Sequence, residues 1–248
     1  VRLGKWRWPA MLLCTTIVSL SLLTPISVLA YWLARGISNG EELYGLWERL
    51  GNALYVSGSA ALLASVVAIP VAILSVRYHS RISLMIERVS YIGFALPGIT
   101  VALAVVFFGI RYLPTLYQTS LLLIFAYVIL FLPASLGSIR SSLVSISPRL
   151  EDAARILGSS QLKALSSITM PLMMPGIISG AMMVFMLTMK ELPATLILSP
   201  IGFKTLSTTV WSATEDGFFA QAAAPALLLI LASSVPMALL VWVGRKGA

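Results

Sequence analysis

The sequence predicts an all-α, polytopic membrane protein, a single domain over residues 1–248 with six membrane helices. Three observations carry this. Hydrophobic residues make up 58% of the chain and charged residues only 10%, against about 25% charged in an ordinary soluble domain. The apolar residues gather in six runs, each near the roughly 20 residues needed to cross a bilayer. The basic residues stand mostly at the ends of those runs. With a mean hydropathy of +0.94, the chain has more apolar surface than a core of this size can hide. That excludes a soluble globular enzyme. Disorder is excluded as well, because it requires low hydrophobicity and high charge.

The runs cover residues 9–34, 50–76, 91–113, 119–139, 172–198 and 222–243. Pro25, Pro70, Pro97, Pro133, Pro193 and Pro225 lie inside them or at their ends. Membrane helices tolerate such breaks where neighbouring helices satisfy the freed backbone groups. The first run begins like a leader, with Arg2, Lys5 and Arg7 and small residues near Ala30. It is too long for one and continues through Tyr31 and Trp32, so it reads as a retained span. A start at Val1 leaves open a fragment, a processed chain or an unusual start codon. Cys14, the lone cysteine, lies in the first run and sets neither a disulfide nor a metal motif.

The net charge of +8, from 17 Lys and Arg against 9 Asp and Glu, would point to nucleic acid in a soluble protein. Here no basic stripe exists, so no nucleic-acid partner is expected and the charge reads as topology. With the N-terminus inside, twelve basic residues fall inside: Arg2, Lys5, Arg7, Arg77, Arg81, Arg88, Arg140, Arg149, Arg155, Lys163, Arg245 and Lys246. Four fall outside: Arg35, Arg49, Arg111 and Lys204. This bias places both termini in the cytoplasm of a protein of the inner (plasma) membrane. The outside loops are acidic, with Glu41, Glu42, Glu48, Glu215 and Asp216.

The loop between the fourth and fifth runs, residues 140–171, is long enough to fold. Ser147 and Pro148 suit a helix start, as N-cap and first helical residue. Glu151 and Asp152 then sit at the positive end of the helix dipole. Leu150, Ala153, Ala154 and Leu157 recur at helical spacing and make one apolar face. Gly158 stops the helix. The result is a short amphipathic helix at the cytoplasmic surface.

The same loop reads Asp152-Ala153-Ala154, three residues, Gly158, nine residues, Ile168-Thr169-Met170-Pro171. This resembles the EAA motif of permease subunits in binding-protein-dependent ATP-binding-cassette importers: Glu-Ala-Ala, three residues, Gly, nine residues, Ile-x-Leu-Pro. Asp152 stands for Glu and Met170 for Leu; the spacing matches throughout. The stretch from Ala95 to Ile99, reading Ala-Leu-Pro-Gly-Ile, is similar to the family. So are Lys190-Glu191-Leu192-Pro193-Ala194-Thr195, Gly202-Phe203 and Thr205-Leu206, which look like its ferric-iron branch. Iron permeases of that branch are commonly two fused halves, and this chain has the size of one half, resembling the C-terminal one.

The resemblance implies a membrane-spanning permease that does no chemistry of its own and carries no cofactor. Its implied partners are a cytoplasmic ATPase dimer, a second permease half (fused or separate), an external substrate-binding protein and membrane lipid. Its ATPase-coupling residues would be Glu151, Asp152, Ala153, Ala154, Gly158, Ile168 and Pro171. Ferric iron is the substrate the resemblance favours. Polyamine, thiamine, phosphonate or an oxyanion are the alternatives within the class. An ion-coupled secondary transporter, the rival outside it, would need internal repeats, and no convincing inverted repeat is present.

Other motifs fail or stay open. No G-x-x-x-x-G-K-[ST] sequence exists, so the chain lacks a P-loop for ATP. Residues 36–40 match G-x-S-x-G, but a hydrolase elbow needs a histidine partner, and the lone His79 falls on the opposite side in this topology; both read as loop residues. Gly176 and Gly180 form G-x-x-x-G, either a helix-packing face or simple glycine enrichment of a membrane helix. Lys190 and Glu191 are ionisable residues inside the fifth run, which is costly near its centre. From Leu172 to Lys190 an α-helix rises about 27 Å, which puts the pair near the outer edge of the membrane core. One reading is a snorkelling lysine with an interfacial carboxylate. The other places Glu191, the only carboxylate in the six runs, on the translocation path as a transient ligand for a hard cation. In that reading Pro193 breaks the helix and Lys190 balances the charge. No fixed metal site is expected.

Overall fold

The computed structural model describes residues 4–41, 45–78 and 80–246. Val1, Arg2, Glu42 and His79 lie outside the described residues. Every described element is helical: α1 (Arg7–Ser38), α2 (Leu46–Arg77), α3 (Arg81–Ser90), α4 (Ile92–Ala95), α5 (Gly98–Tyr112), α6 (Ser120–Ser145), α7 (Arg149–Ile156), α8 (Gln161–Ala164), a π-turn (Leu165–Thr169), α9 (Met170–Met189), α10 (Pro193–Leu198), α11 (Leu206–Glu215) and α12 (Phe219–Lys246). Among the described residues five helices are long and apolar enough to cross a membrane, six if the bent pair Arg81–Ala95 and Gly98–Tyr112 forms one span.

The core is the junction of α2, α6 and α9, which pack against one another. In lipid there is no hydrophobic drive to bring helices together, so close approach of small residues replaces it. The buried stripe of α2 is built from Ala53, Ser57, Ala60, Ala61, Ala64, Ser65, Ala68, Ala72 and Ser75. Ser135 of α6 donates to Ser65 across this seam, 3.2 Å. Gly176 and Gly180 of α9 meet α6: a Cβ at Gly176 would stand 2.4 Å from Ser142 Cβ, and one at Gly180 3.0 Å from the Ser135 backbone. The G-x-x-x-G is therefore a packing face. Around the core, α12 packs on α9, α11 and α1, with the Trp32 and Phe219 rings 5.6 Å apart.

Several expected boundaries move, most of them for a backbone reason. The third run is not one straight helix. Pro97 lacks an amide and forces Leu96 into an extended conformation (φ −96°, ψ 134°), and the chain turns through 110° between α3–α4 and α5. With 15 residues, α5 is about 22 Å long, short of a membrane core of about 30 Å. The fifth run ends at Met189 rather than residue 198, because Pro193 cannot continue the helix and opens a new one, α10. At its other end it starts earlier, since α8, the π-turn and α9 form one rod over Gln161–Met189. Pro171 has no amide to give the preceding turn, and a π-turn, in which the Met170 amide bonds the Leu165 carbonyl, carries the rod past it. With α6 running on to Ser145, the expected 140–171 loop shrinks to residues 146–160, most of them α7.

Gly176→Val is expected to destabilise the protein by about 1–3 kcal/mol through overpacking against Ser142. Gly51→Val, where a Cβ meets nothing within 4 Å, serves as control. Thermal unfolding of the purified protein in mild detergent measures both; equal midpoints would contradict the packing face.

Candidate functional site: the α7 anchor and the break at Glu191

Two polar constructions stand at opposite ends of the bundle. The first holds α7. Pro148 takes helical dihedrals (φ −56°, ψ −26°) and begins the turn, but Ser147 makes no side-chain cap. The helix ends as expected at Gly158, φ +87°. There the Ser159 amide bonds the Ala154 carbonyl (3.0 Å) and the Gly158 amide the Arg155 carbonyl (3.0 Å). This is a Schellman motif, which requires the left-handed residue that glycine supplies.

Most of the apolar face of α7 is exposed rather than packed on the bundle. Leu150 is 46% exposed, Ile156 and Leu157 86% each, and Ala153 is also exposed. Glu151 and Ala154 are the half-buried positions. The reason is electrostatic. Arg77, the last residue of α2, donates Nε to Glu151 Oε1 (3.0 Å) and Nη2 to the Ile146 carbonyl at the end of α6 (3.0 Å). Thr169, in the π-turn, donates Oγ1 to the same Glu151 oxygen (2.8 Å). The pair is partly desolvated, with side chains 10% and 22% exposed. Asp152 differs: its contact with Arg155 is 3.9 Å long and both side chains are more than half exposed, a geometry worth about 0–1 kcal/mol. The ion pair does not immobilise Asp152, which faces outward.

At the far end the chain breaks at Lys190, the C-cap of α9. Glu191 turns back: its Oε1 accepts the Ala194 amide at the start of α10 (3.0 Å). The freed Glu191 carbonyl is satisfied twice, by Thr195 Oγ1 (2.6 Å) and Ser207 Oγ of α11 (3.2 Å). Thr195 is paired in turn with the hydroxyl of buried Tyr127 on α6, 2.5 Å. A Cβ at Gly98 would stand 2.8 Å from Glu191 Oε1, so the carboxylate rests against the bare backbone at the start of α5. The break at Pro97 and the break before Pro193 thus meet at one carboxylate. Pro193 begins α10 rather than merely interrupting α9. Lys190 is exposed, Glu191 half-buried.

Of the residues that the sequence points to, Asp152, Ala153 and Gly158 lie on the exposed side of α7, while Glu151 points inward. Ile168 is half-buried in the π-turn and Pro171 is exposed on the first turn of α9. Arg77, Thr169, Gly98, Tyr127, Thr195 and Ser207 belong to these constructions without a sequence signal of that role. A proline beside a carboxylate followed by a threonine is the only local signal for the break. Nothing local connects Arg77 to a residue 74 positions onward.

Residues 62–246, from the middle of α2 to the end of α12, match the family described as binding-protein-dependent transport system inner membrane component. The chain belongs to this family. Among relatives, the Fe(3+)-transport system permease protein FbpB 2 of Haemophilus influenzae is 36% identical over 228 residues, 91% of this chain and 45% of that protein. The chain thus spans about half the length of that relative. The putative 2-aminoethylphosphonate transport system permease protein PhnV of Salmonella choleraesuis is 26% identical over 204 residues, 81% of this chain and 77% of that protein. The fold resembles a chain of a bacterial alginate ABC transporter crystallised with an alginate-bound periplasmic protein. The TM-score is 0.72 at 17% identity, covering 97% of this chain and 93% of that one.

Glu191→Ala removes the acceptor for the Ala194 amide and is expected to cost about 1–2 kcal/mol, the scale of a lost helix cap. Lys190→Ala, on the exposed side, is expected to stay within about 0.5 kcal/mol of the parent. Denaturant unfolding in detergent compares them; a larger loss at Lys190 would reverse the assignment.

Proposed function

We propose that the chain is the membrane-spanning permease subunit of an ATP-driven importer for ferric iron, forming the translocation path and coupling to a separate ATPase. The observation that carries this reading is the exposed side of α7. Ile156 and Leu157 at the end of α7, with Leu162 of the adjoining α8, are 79–86% exposed, and Arg149, Asp152, Arg155 and Lys163 surround them in sequence. Hydrocarbon does not suit that charged setting, and leaving such side chains in water forgoes about 1.5–3 kcal/mol each. A protein partner with an apolar cleft and an acidic rim for Arg149, Arg155 and Lys163 accounts for both features. In this family's architecture the partner is a cytoplasmic ATPase dimer, which hydrolyses the ATP while this chain does not.

The α7 end of the bundle also gathers Arg77, Arg81, Arg88 and Arg140, which supports placing that end, and both termini, on the cytoplasmic side of the inner membrane. A second permease half completes the path, and an external binding protein delivers substrate to the end bearing α10 and α11. Motion of the ATPase, transmitted through α7, rocks the bundle between two access states.

The ferric-transport relative supports iron as the substrate. Glu191 supplies a hard oxygen donor at the junction of two broken helices, the kind of irregular backbone found only where it lines protein or a cavity. The phosphonate-transport relative favours a second reading, an organophosphonate substrate.

The test is a proteoliposome carrying the complete transporter with its ATPase and binding protein. Uptake of radiolabelled ferric iron, dependent on ATP, is expected, and uptake of 2-aminoethylphosphonate is not. Gly158→Asp is expected to abolish uptake while the protein stays in the membrane, because a Cβ opposes the left-handed turn by about 1 kcal/mol or more and a carboxylate enters the docking face. Glu191→Gln is expected to cut uptake at limiting iron by about tenfold, the scale of one lost charged contact. Phosphonate uptake would establish the second reading, and normal uptake by Gly158→Asp would remove α7 as the coupling element.

A further inference from the structure

α7 has no buried residue, so apolar packing does not hold it to the bundle. A cavity of about 280 Å³ lies beside it, bounded by Arg77, Glu151, Tyr78 and Leu165. Its two peptide connections are poor levers: the left-handed Gly158 follows it, and an uncapped Ser147–Pro148 turn precedes it. What ties α7 to the membrane helices is the pair of bonds that converge on Glu151 Oε1, from Arg77 of α2 and Thr169 of the π-turn. Arg77 simultaneously grips the Ile146 carbonyl, where the chain leaves α6. The neighbouring Tyr78 hydroxyl is bonded by Gln161 at the start of α8, and its carbonyl accepts from Ser83 of α3 (2.6 Å). The last turn of α2 therefore reaches α3, α6, α7 and α8 at once.

From this convergence we infer that Arg77 is the positioning residue through which displacement of α7 reaches the membrane core. The inference rests on the reading of α7 as the ATPase-docking helix and specifies the route beyond it. Force applied to α7 enters α2 through the Arg77–Glu151 pair and enters the α9 rod through Thr169. Because α2 is the helix whose small-residue stripe packs on both α6 and α9, displacement at its end shifts the central junction as a body. The π-turn holds Thr169 at this place on the rod, and such single π-turns inside helices are frequent at functional sites. The Arg140–Glu87 pair (2.8 Å) belongs to a different joint, between α6 and α3, and is not on this route.

Hydrogen–deuterium exchange on the complete transporter, with and without ATP and vanadate, reads the route without needing the substrate's identity. In the parent complex, nucleotide trapping is expected to change exchange both in α7 and at residues 70–77. Arg77→Ala is expected to keep the α7 response and to lose about threefold or more of the response at 70–77, as one charged hydrogen-bonded link is removed. Arg77→Lys, which keeps the charge opposite Glu151, is expected to restore part of it. Thr169→Val, similar in volume but without the hydroxyl, guards against an Arg77 variant that fails to assemble, and is expected to weaken the response at residues 165–175. At residues 70–77 a double Arg77→Ala, Glu151→Ala variant is expected to respond like Arg77→Ala alone, since the Arg77–Glu151 link is already gone in the single variant. An unchanged response at 70–77 in Arg77→Ala, or an unchanged response at 165–175 in an assembled Thr169→Val complex, would overturn the route while leaving α7 as the docking helix. No nucleotide response in α7 of the parent complex would overturn the docking reading and the route together.

Discussion

The close approach of α2, α6 and α9 through alanine, serine and glycine is the constraint on which the rest of the molecule depends. Between helices in lipid, association relies on van der Waals contact and on few polar bonds. A seam in which a Cβ at Gly176 would overlap Ser142 admits little sliding before something clashes. The three helices therefore act as one body, and what attaches to their ends is positioned by it. At one end that is α7, hung from Arg77; at the other it is the broken segment containing α10 and α11. Packed cores of this kind respond to a push by moving between discrete arrangements rather than by deforming.

The irregular backbone at the far end follows from a second constraint, that no amide or carbonyl at membrane depth goes unsatisfied. Side chains at the break supply the missing partners. Glu191 accepts the Ala194 amide, while Thr195 and Ser207 donate to the Glu191 carbonyl. Tyr127 closes the set through Thr195. This gives Glu191 a structural role that stands whether or not a cation ever touches it. It also explains why a charged residue occupies an apolar run: a carboxylate engaged by a helix amide costs less than a bare one.

The spans are legible in the sequence because hydropathy needs only composition over about 20 residues, and α2, α6 and α12 have few internal contradictions. Gly158 is legible because a left-handed helix stop has a residue type of its own. The ends of the third and fifth runs differ from expectation because hydropathy alone sets them, and Pro97 and Pro193 stop a helix without changing hydropathy. The orientation of α7 is not legible for another reason. Periodicity groups Leu150, Ala153, Ala154 and Leu157 on one apolar face without saying what that face meets, and the bundle offers α7 a guanidinium that Glu151 takes. Contacts between residues 74 positions apart leave no trace in a local pattern, which is why Arg77 reads from sequence as one more basic residue at the end of a span.

The exposed α7 surface as the place where an ATPase docks is the central claim, and site-specific photocrosslinking in the native membrane tests it most directly. A photoreactive residue is placed at Leu157, 86% exposed on α7, and in a separate variant at Ile201, 88% exposed near the opposite end of the bundle. Illumination is expected to join position 157 to a nucleotide-binding ATPase subunit, identified by mass spectrometry, and to give no such adduct from position 201. An ATPase adduct from position 201 with none from 157 would contradict both the docking surface and the orientation of the chain in the membrane.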